Sequence, residues 1–137
     1  MSNLATVQAI YDAFGRGDIP TLLSKLDTNI SWEDQGADHG VPWLKPGKGL
    51  DHVASFFGVL AKELEITQFA PYNLLESGNH VVCLLDFGAT AKKSGTSFTD
   101  REAHVWEFGS GAKPVAFRHL CDTAKHVAAF KGQAVPA

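Results

Sequence analysis

From Thr67 to Asp122 the chain reads as four strand-like runs in succession: TQFAPYNLLE, HVVCLLDFGAT, SFTDREAHVWEF and KPVAFRHLCD. Only turn chemistry separates them, at Ser77-Gly78-Asn79, at Lys92 to Thr96 and at Gly109-Ser110-Gly111. Short turns between alternating apolar runs make hairpins, so the second half of the chain is expected to be an antiparallel meander.

The first half has another period. Leu4, Val7, Ile10, Tyr11 and Phe14 recur at helical spacing, and Gly15 stands where a left-handed cap is expected. Asp18 reads as the N-cap of a short second helix, with Pro20 in its first turn and Leu22, Leu23 and Leu26 as its apolar face. In NISWED, Ile30, Trp32 and Asp34 alternate with Ser31 and Glu33, so a strand there delivers an aromatic and a carboxylate to one face. The loop QGADHGVPWLKPGKG is rich in Gly and Pro and holds Trp43, which suits a lid or an interface. Leu50, Val53, Ala54, Phe57, Leu60, Ala61 and Leu64 form the clearest helical stripe and predict a third helix over 50–64. A short helix from Thr123 to Lys131, stopped at Gly132, completes the pattern.

Helix, helix, strand, helix and four strands make an α+β domain, its helices gathered on one face of a curved, mainly antiparallel sheet that encloses a pocket. With 137 residues, one domain over 1–137 is expected, its ordered core spanning about 3–131. The net charge of −3 and scattered lysines give no basic patch, which argues against nucleic acid and against a membrane surface as partner. No run approaches the roughly 20 apolar residues that cross a bilayer. Polar residues in MSNLATVQAIYDAF stand where a signal peptide would be apolar, so a cytoplasmic location is expected. Cys83 and Cys121 lie in apolar alternating runs and read as packing residues. No His-x3-His spacing, paired cysteines or nucleotide loop occurs, so neither metal nor other cofactor is expected.

YDAFGRGDIPTLLSKL, NISWE, GKGLDHVASFF and the final strands EAHVWEF and FRHLCDT follow one another in an order that resembles the NTF2-like superfamily. The resemblance is to its SnoaL-like branch, related to polyketide cyclases and ketosteroid isomerases, and it covers nearly the whole chain. It implies a cone, a strongly bent sheet around a deep cavity closed by helices, often dimeric through the outer face of the sheet. Reaction type does not follow, because the fold hosts isomerases, cyclases, dehydratases, epoxide hydrolases and pure binding modules.

The resembling cyclases keep their general acid or base near the end of the last strand, where this chain has Asp122. Desolvation in an apolar cavity would lift such a carboxyl toward neutrality, although an N-cap of the last helix would fall at the same place. His104 is the second catalytic candidate, and an inward His104 brings Trp106 with it as a stacking wall. His119 lies across the 109–111 turn, and the hairpin register decides whether it shares a face with His104. Arg118 alternates with Leu120 and Asp122. It reads as a structural ion pair with buried carboxylates, or as the water-orienting arginine of the epoxide-opening branch, for which Asp86 and Glu102 are the candidate second acids.

Tyr11 matches the position from which the isomerases present a phenol. Where those enzymes hold their acids, this chain has Trp32 and His104, a departure that argues against steroid isomerisation. Asp34 would serve if a bulge turned it inward. With Trp43 and Phe57, these residues describe a pocket for a flat or hydrophobic small molecule. The expected protein is a homodimer that binds a hydrophobic small molecule, with cofactor-free acid/base chemistry of cyclase, isomerase or dehydratase type as the activity open to it. The rival is a non-catalytic ligand-binding or dimerisation module, with an epoxide-hydrolase-like activity third.

Overall fold

The structure, a computed structural model, describes residues 2–137. Helix α1 (Asn3–Gly15) starts at Ser2, whose hydroxyl accepts the Ala5 N–H at 3.0 Å. It ends later than the glycine pattern suggests. Arg16 N–H still bonds to Asp12 O at 3.2 Å, and the left-handed residue is Gly17, with φ 69°. Asp18 then caps α2 (Ile19–Ser24) by accepting the Thr21 N–H at 3.2 Å. This is the N-cap that the sequence predicts, and it fixes a tight turn that folds α2 back under α1.

Strand β1 is only Ser31–Trp32. Glu33 (φ 56°) and Gln35 (φ 57°) both adopt left-handed backbone, which breaks the alternation on which a longer strand would depend. A 3-10 turn over Pro42–Leu44 and the two-residue β2 (Gly47–Lys48) precede α3 (Leu50–Glu63). The meander follows as expected: β3 (Leu64–Ser77), β4 (His80–Ala91), β5 (Thr96–Phe108) and β6 (Pro114–Leu120), then α4 (Thr123–Lys131) closed by left-handed Gly132.

The six strands form one sheet in the order β2-β1-β6-β5-β4-β3. All pairings are antiparallel except that of β1 with β6, which is parallel and sets Trp32 beside Phe117. Register shifts in β3, at Ile66/Gln68 and Pro71/Asn73, and in β6, where Val115 is the extra residue opposite Glu107/Phe108, bend and twist these strands. The helices close the concave side. Val7, Ile10, Leu22, Leu26, Val53 and Leu85 pack there into the core, each contributing about 1.5–3 kcal/mol of transfer free energy.

The inner face of β5 departs from this pattern. Phe98, Asp100, Glu102, His104, Trp106 and Phe108 all point the same way and are all buried, so three ionisable groups sit in succession on the core side. Cys83 is buried and Cys121 partly so, both as free thiols. Among the described residues, no helix is long and apolar enough to cross a membrane.

Candidate active site

A cavity of about 80 Å³ lies between the concave sheet and helices α1 and α3. Its walls are mostly aromatic: Trp32, Phe56, Phe57, Phe69, Trp106 and Phe117. The parallel β1–β6 pairing explains the tightest contact, Trp32 stacked on Phe117 with centroids 4.1 Å apart and planes 22° apart. An apolar cavity of about 150 Å³ holds benzene. A ligand of that size or larger therefore enters this one only if the walls yield.

The β5–β6 register sets His104 opposite His119 and Trp106 opposite Phe117, and all four line the cavity. The two imidazoles meet edge to face with centroids 5.2 Å apart. His104 Nδ1 lies 2.7 Å from Tyr11 Oη, and the same oxygen accepts the Trp106 indole N–H at 3.0 Å. No protein group bonds His104 Nε2 among the described residues, which leaves that atom to the cavity. Burial, reinforced by the charge on His119 and opposed by Glu102, pushes the His104 pKa down to about 3. Burial likewise carries the Tyr11 phenol well above its ordinary value.

Beside this pair, Glu102 bridges two histidines. His119 Nε2 is 2.6 Å from Glu102 Oε1, and His126 Nε2, from α4, is 2.8 Å from Glu102 Oε2. Glu33 Oε1 lies 3.4 Å from His119 Nδ1, close enough to pair electrostatically though without hydrogen-bond alignment. Burial resists the charge on His119, but its contacts with Glu102 and Glu33 outweigh that cost and raise its pKa well above the ordinary value. Burial would also raise Glu102, and the two imidazoles more than reverse this, holding its carboxyl far below the usual range. His119 is thus an imidazolium between two carboxylates, and its charge helps to keep His104 neutral.

His126 is pulled two ways. Burial opposes its protonation, whereas Asp100, Cys121 and Glu102 favour it and lift the pKa toward about 10. On its other side Trp43 Nε1 donates to His126 Nδ1 at 2.9 Å, and an indole can only donate. A second proton on His126 would have to displace that bond. The hydrogen-bond geometry assigns the neutral ring with its proton on Nε2, because the Trp43 contact supplies direct evidence of a lone pair on Nδ1.

Two groups bring potential metal ligands within 4.8 Å of one another: Asp100, Glu102, Cys121 and His126, and Glu102, His104 and His119. A metal-bound histidine normally donates its second N–H to an outer acceptor. His126 does the opposite, accepting from Trp43, which counts against a metal in the first group. In the second, His119 Nε2 is already spent on Glu102 Oε1, and the two would have to give up that bond to take a metal.

Of the residues singled out from sequence, Tyr11, Trp32, Trp43, Phe57, His104, Trp106 and His119 line the cavity. Asp122, Asp34 and Arg118 do not. Asp122 is exposed, because β6 ends at Leu120 and the chain turns outward into α4. Its backbone N–H donates to Asp100 Oδ2 at 2.9 Å, its carboxylate makes no capping bond, and the desolvation expected of it is absent. Asp34 is turned away by the left-handed Glu33 and accepts the Ser31 hydroxyl at 2.8 Å, so Glu33 is buried in its place. Arg118 has the opposite phase to Phe117 and His119 and is exposed. Neither candidate second acid reaches it: Asp86 pairs with Arg101 at 3.3 Å, and Glu102 is held by the histidines. Arg118, Asp34 and Glu33 instead border an outer groove of about 230 Å³ that shares only His119 with the inner cavity.

Sequence reasoning missed Glu33, Asp100 and His126, and it considered Glu102 only as a candidate acid beside Arg118. One signal was present. Asp100, Glu102 and His104 share the strand phase of Trp106, so an inward Trp106 carries all three inward.

A bent, mainly antiparallel sheet closed by helices over an aromatic cavity defines an α+β cone of the NTF2-like kind. The chain belongs to the SnoaL-like domain family, whose model matches residues 7–115. Among solved structures, an NTF2-like protein of unknown function from Burkholderia pseudomallei is 31% identical, with a TM-score of 0.81 over 95% of this chain and 98% of that one. An NTF2-like protein from Burkholderia thailandensis is 26% identical, with a TM-score of 0.82 over 96% of this chain and 98% of that one. TerC, co-crystallised with polyporic acid, shares the fold at 22% identity and a TM-score of 0.80 over 94% of this chain and 98% of that one. None of the curated proteins matches the chain significantly.

Proposed function

We propose that this SnoaL-like domain binds a flat, hydrophobic, oxygen-bearing small molecule in its cavity and acts on it by cofactor-free acid/base chemistry of the cyclase, isomerase or dehydratase type. The observation that carries this reading is the floor of the cavity. In an otherwise aromatic enclosure, a neutral, buried His104 presents an unpartnered nitrogen beside the charged His119. Such a pair can polarise a carbonyl and stabilise the enolate left when a solvent base takes its α-proton, with little reorganisation of solvent. The central polar role in the pocket moves from Asp122 to His104, with Tyr11 and His119 as its immediate partners. TerC supplies a precedent of fold for a small organic ligand, not a precedent of residues.

The test is exchange of an acidic C–H proton of small cyclic ketones into deuterated water, by the native protein, His104→Ala and Asp122→Asn. Exchange that His104→Ala abolishes and Asp122→Asn leaves unchanged supports the reading. Equal rates in all three proteins, at the level of buffer, would end it.

A homodimer is the second part of the proposal, and it rests on the convex face of the sheet. Tyr72, Leu75 and Leu120 are 58%, 50% and 43% exposed, large apolar side chains that water does not favour. The register Leu84–Ala103–Leu120 continues the apolar strip across three strands. A second copy presenting the same strip is self-complementary.

A further inference from the structure

The bonds around Tyr11 have a direction. An indole nitrogen is only a donor, so Trp106 Nε1 gives its hydrogen to Tyr11 Oη at 3.0 Å. The phenol then has one hydrogen of its own to place, and His104 Nδ1 lies 2.7 Å away. Were Nδ1 itself protonated, Tyr11 Oη would accept two hydrogen bonds and its own proton would need a third partner. Among the described residues the other polar partner of the phenol is Cys83, whose sulfur is a weak acceptor and lies 3.9 Å from Leu84 O. The nitrogen lone pair is the better acceptor.

We infer that the Trp106–Tyr11–His104 chain fixes His104 as the neutral Nε2–H tautomer, which makes it a hydrogen-bond donor to the cavity and selects ligands that present an oxyanion, an enolate or a phenolate. This deepens the proposed function and rests on it for the ligand, though not for the tautomer. Trp106 and Tyr11 are positioning residues, and His104 touches the ligand. A neutral imidazole is suited to this task. It donates without offering an imidazolium proton that would neutralise the developing anion outright, while His119, with its ring centroid 5.2 Å away, adds positive charge without spending an N–H. The walls are mostly aromatic, so the His104 donor acts in a medium of low polarity.

Two readouts test this separately. Nitrogen-15 NMR of the free protein should show His104 with a protonated Nε2 and a bare Nδ1. Tyr11→Phe should release the preference and let both tautomers appear, whereas a protonated Nδ1 in the native protein would overturn the inference whatever the cavity binds. The second probe is 4-nitrophenol, whose absorbance separates phenol from phenolate, with toluene as the measure of apolar fit. Bound 4-nitrophenol should ionise at lower pH than the free compound, a shift lost in His104→Ala and reduced in Trp106→Phe while toluene binding persists. Nitrophenol bound without any shift overturns the donor role and leaves the pocket reading intact. Binding of neither compound removes the pocket reading and the ligand class with it, and the NMR result then decides the tautomer alone.

Discussion

His119 Nε2 and Glu102 Oε1 are 2.6 Å apart, and both side chains are almost wholly enclosed. An ion pair at that distance and depth is strong only while complete. Removing one member leaves the other charged and without solvent.

Glu102→Gln should therefore destabilise the fold by about 3–5 kcal/mol, the usual cost of breaking a buried pair. Urea denaturation checks it. A loss below about 1 kcal/mol, the scale of a surface pair, would mean that His119 is not charged in this position.

Stability should have a maximum near pH 6.5. His104, depressed to about 3, takes up its proton later in the folded chain than in the unfolded one, so stability rises with pH between those values. Glu102, held below its ordinary value, adds stability that is present above about pH 4.3 and is lost as pH falls through the folded pKa. His119 has the opposite sign: its raised pKa gives stability that is full below about pH 6.5 and drains away as pH climbs through the folded value. Unfolding free energies from pH 4 to 9 would show the dome. His104→Gln should flatten its acid side, and a maximum above pH 8 would contradict the assignment.

Trp43→Phe should change the charge of a residue it only touches. With the indole gone from Nδ1, only burial still opposes the acidic groups around His126, and the ring should become an imidazolium at neutral pH. Histidine NMR titration reads this directly. A His126 that stays singly protonated in the variant would show that Trp43 does not set its state.

Arg118→Ala and Asp122→Asn should each stay within about 0.5 kcal/mol of the native stability, as exposed substitutions away from special features do. Thermal melts suffice. A large loss in Asp122→Asn would reveal a capping role that its side-chain geometry does not show.

Leu120→Lys should convert a dimer to a monomer, because it sets a charge at the β6 end of the convex apolar strip. Sedimentation velocity at equal concentrations separates the outcomes. A monomeric native protein would remove the proposed interface.

The meander and the helices were legible because each depends on a local period. The site was less so. Whether His104 meets His119 depends on how many residues the 109–113 turn consumes, and an irregularity at Glu107/Phe108 changes the count, so no local pattern settles it. Glu33 became a site residue through a left-handed backbone at a position that is neither glycine nor asparagine, a conformation that its residue type does not announce. His126 carries no signal in its own helix, since its burial comes from β5, more than 20 residues away, through contact with Glu102. Asp122 misled for a different reason. A strand end and a helix start coincide there, and only the direction of the turn decides whether the side chain is wet.

Helix α3 runs into β3 without an intervening residue, Glu63 being the last of one and Leu64 the first of the other. That seam is also stapled from outside: Lys92 N–H reaches Glu63 O and Lys92 Nζ reaches Ala61 O, both at 2.8 Å, while Lys93 Nζ pairs with Glu63 at 3.1 Å. Those bonds hold the C-terminal end of α3 at the joint where helix becomes strand. A ligand too large for the resting volume should then be admitted by movements that pivot at this joint, taking Phe56 and Phe57 with them.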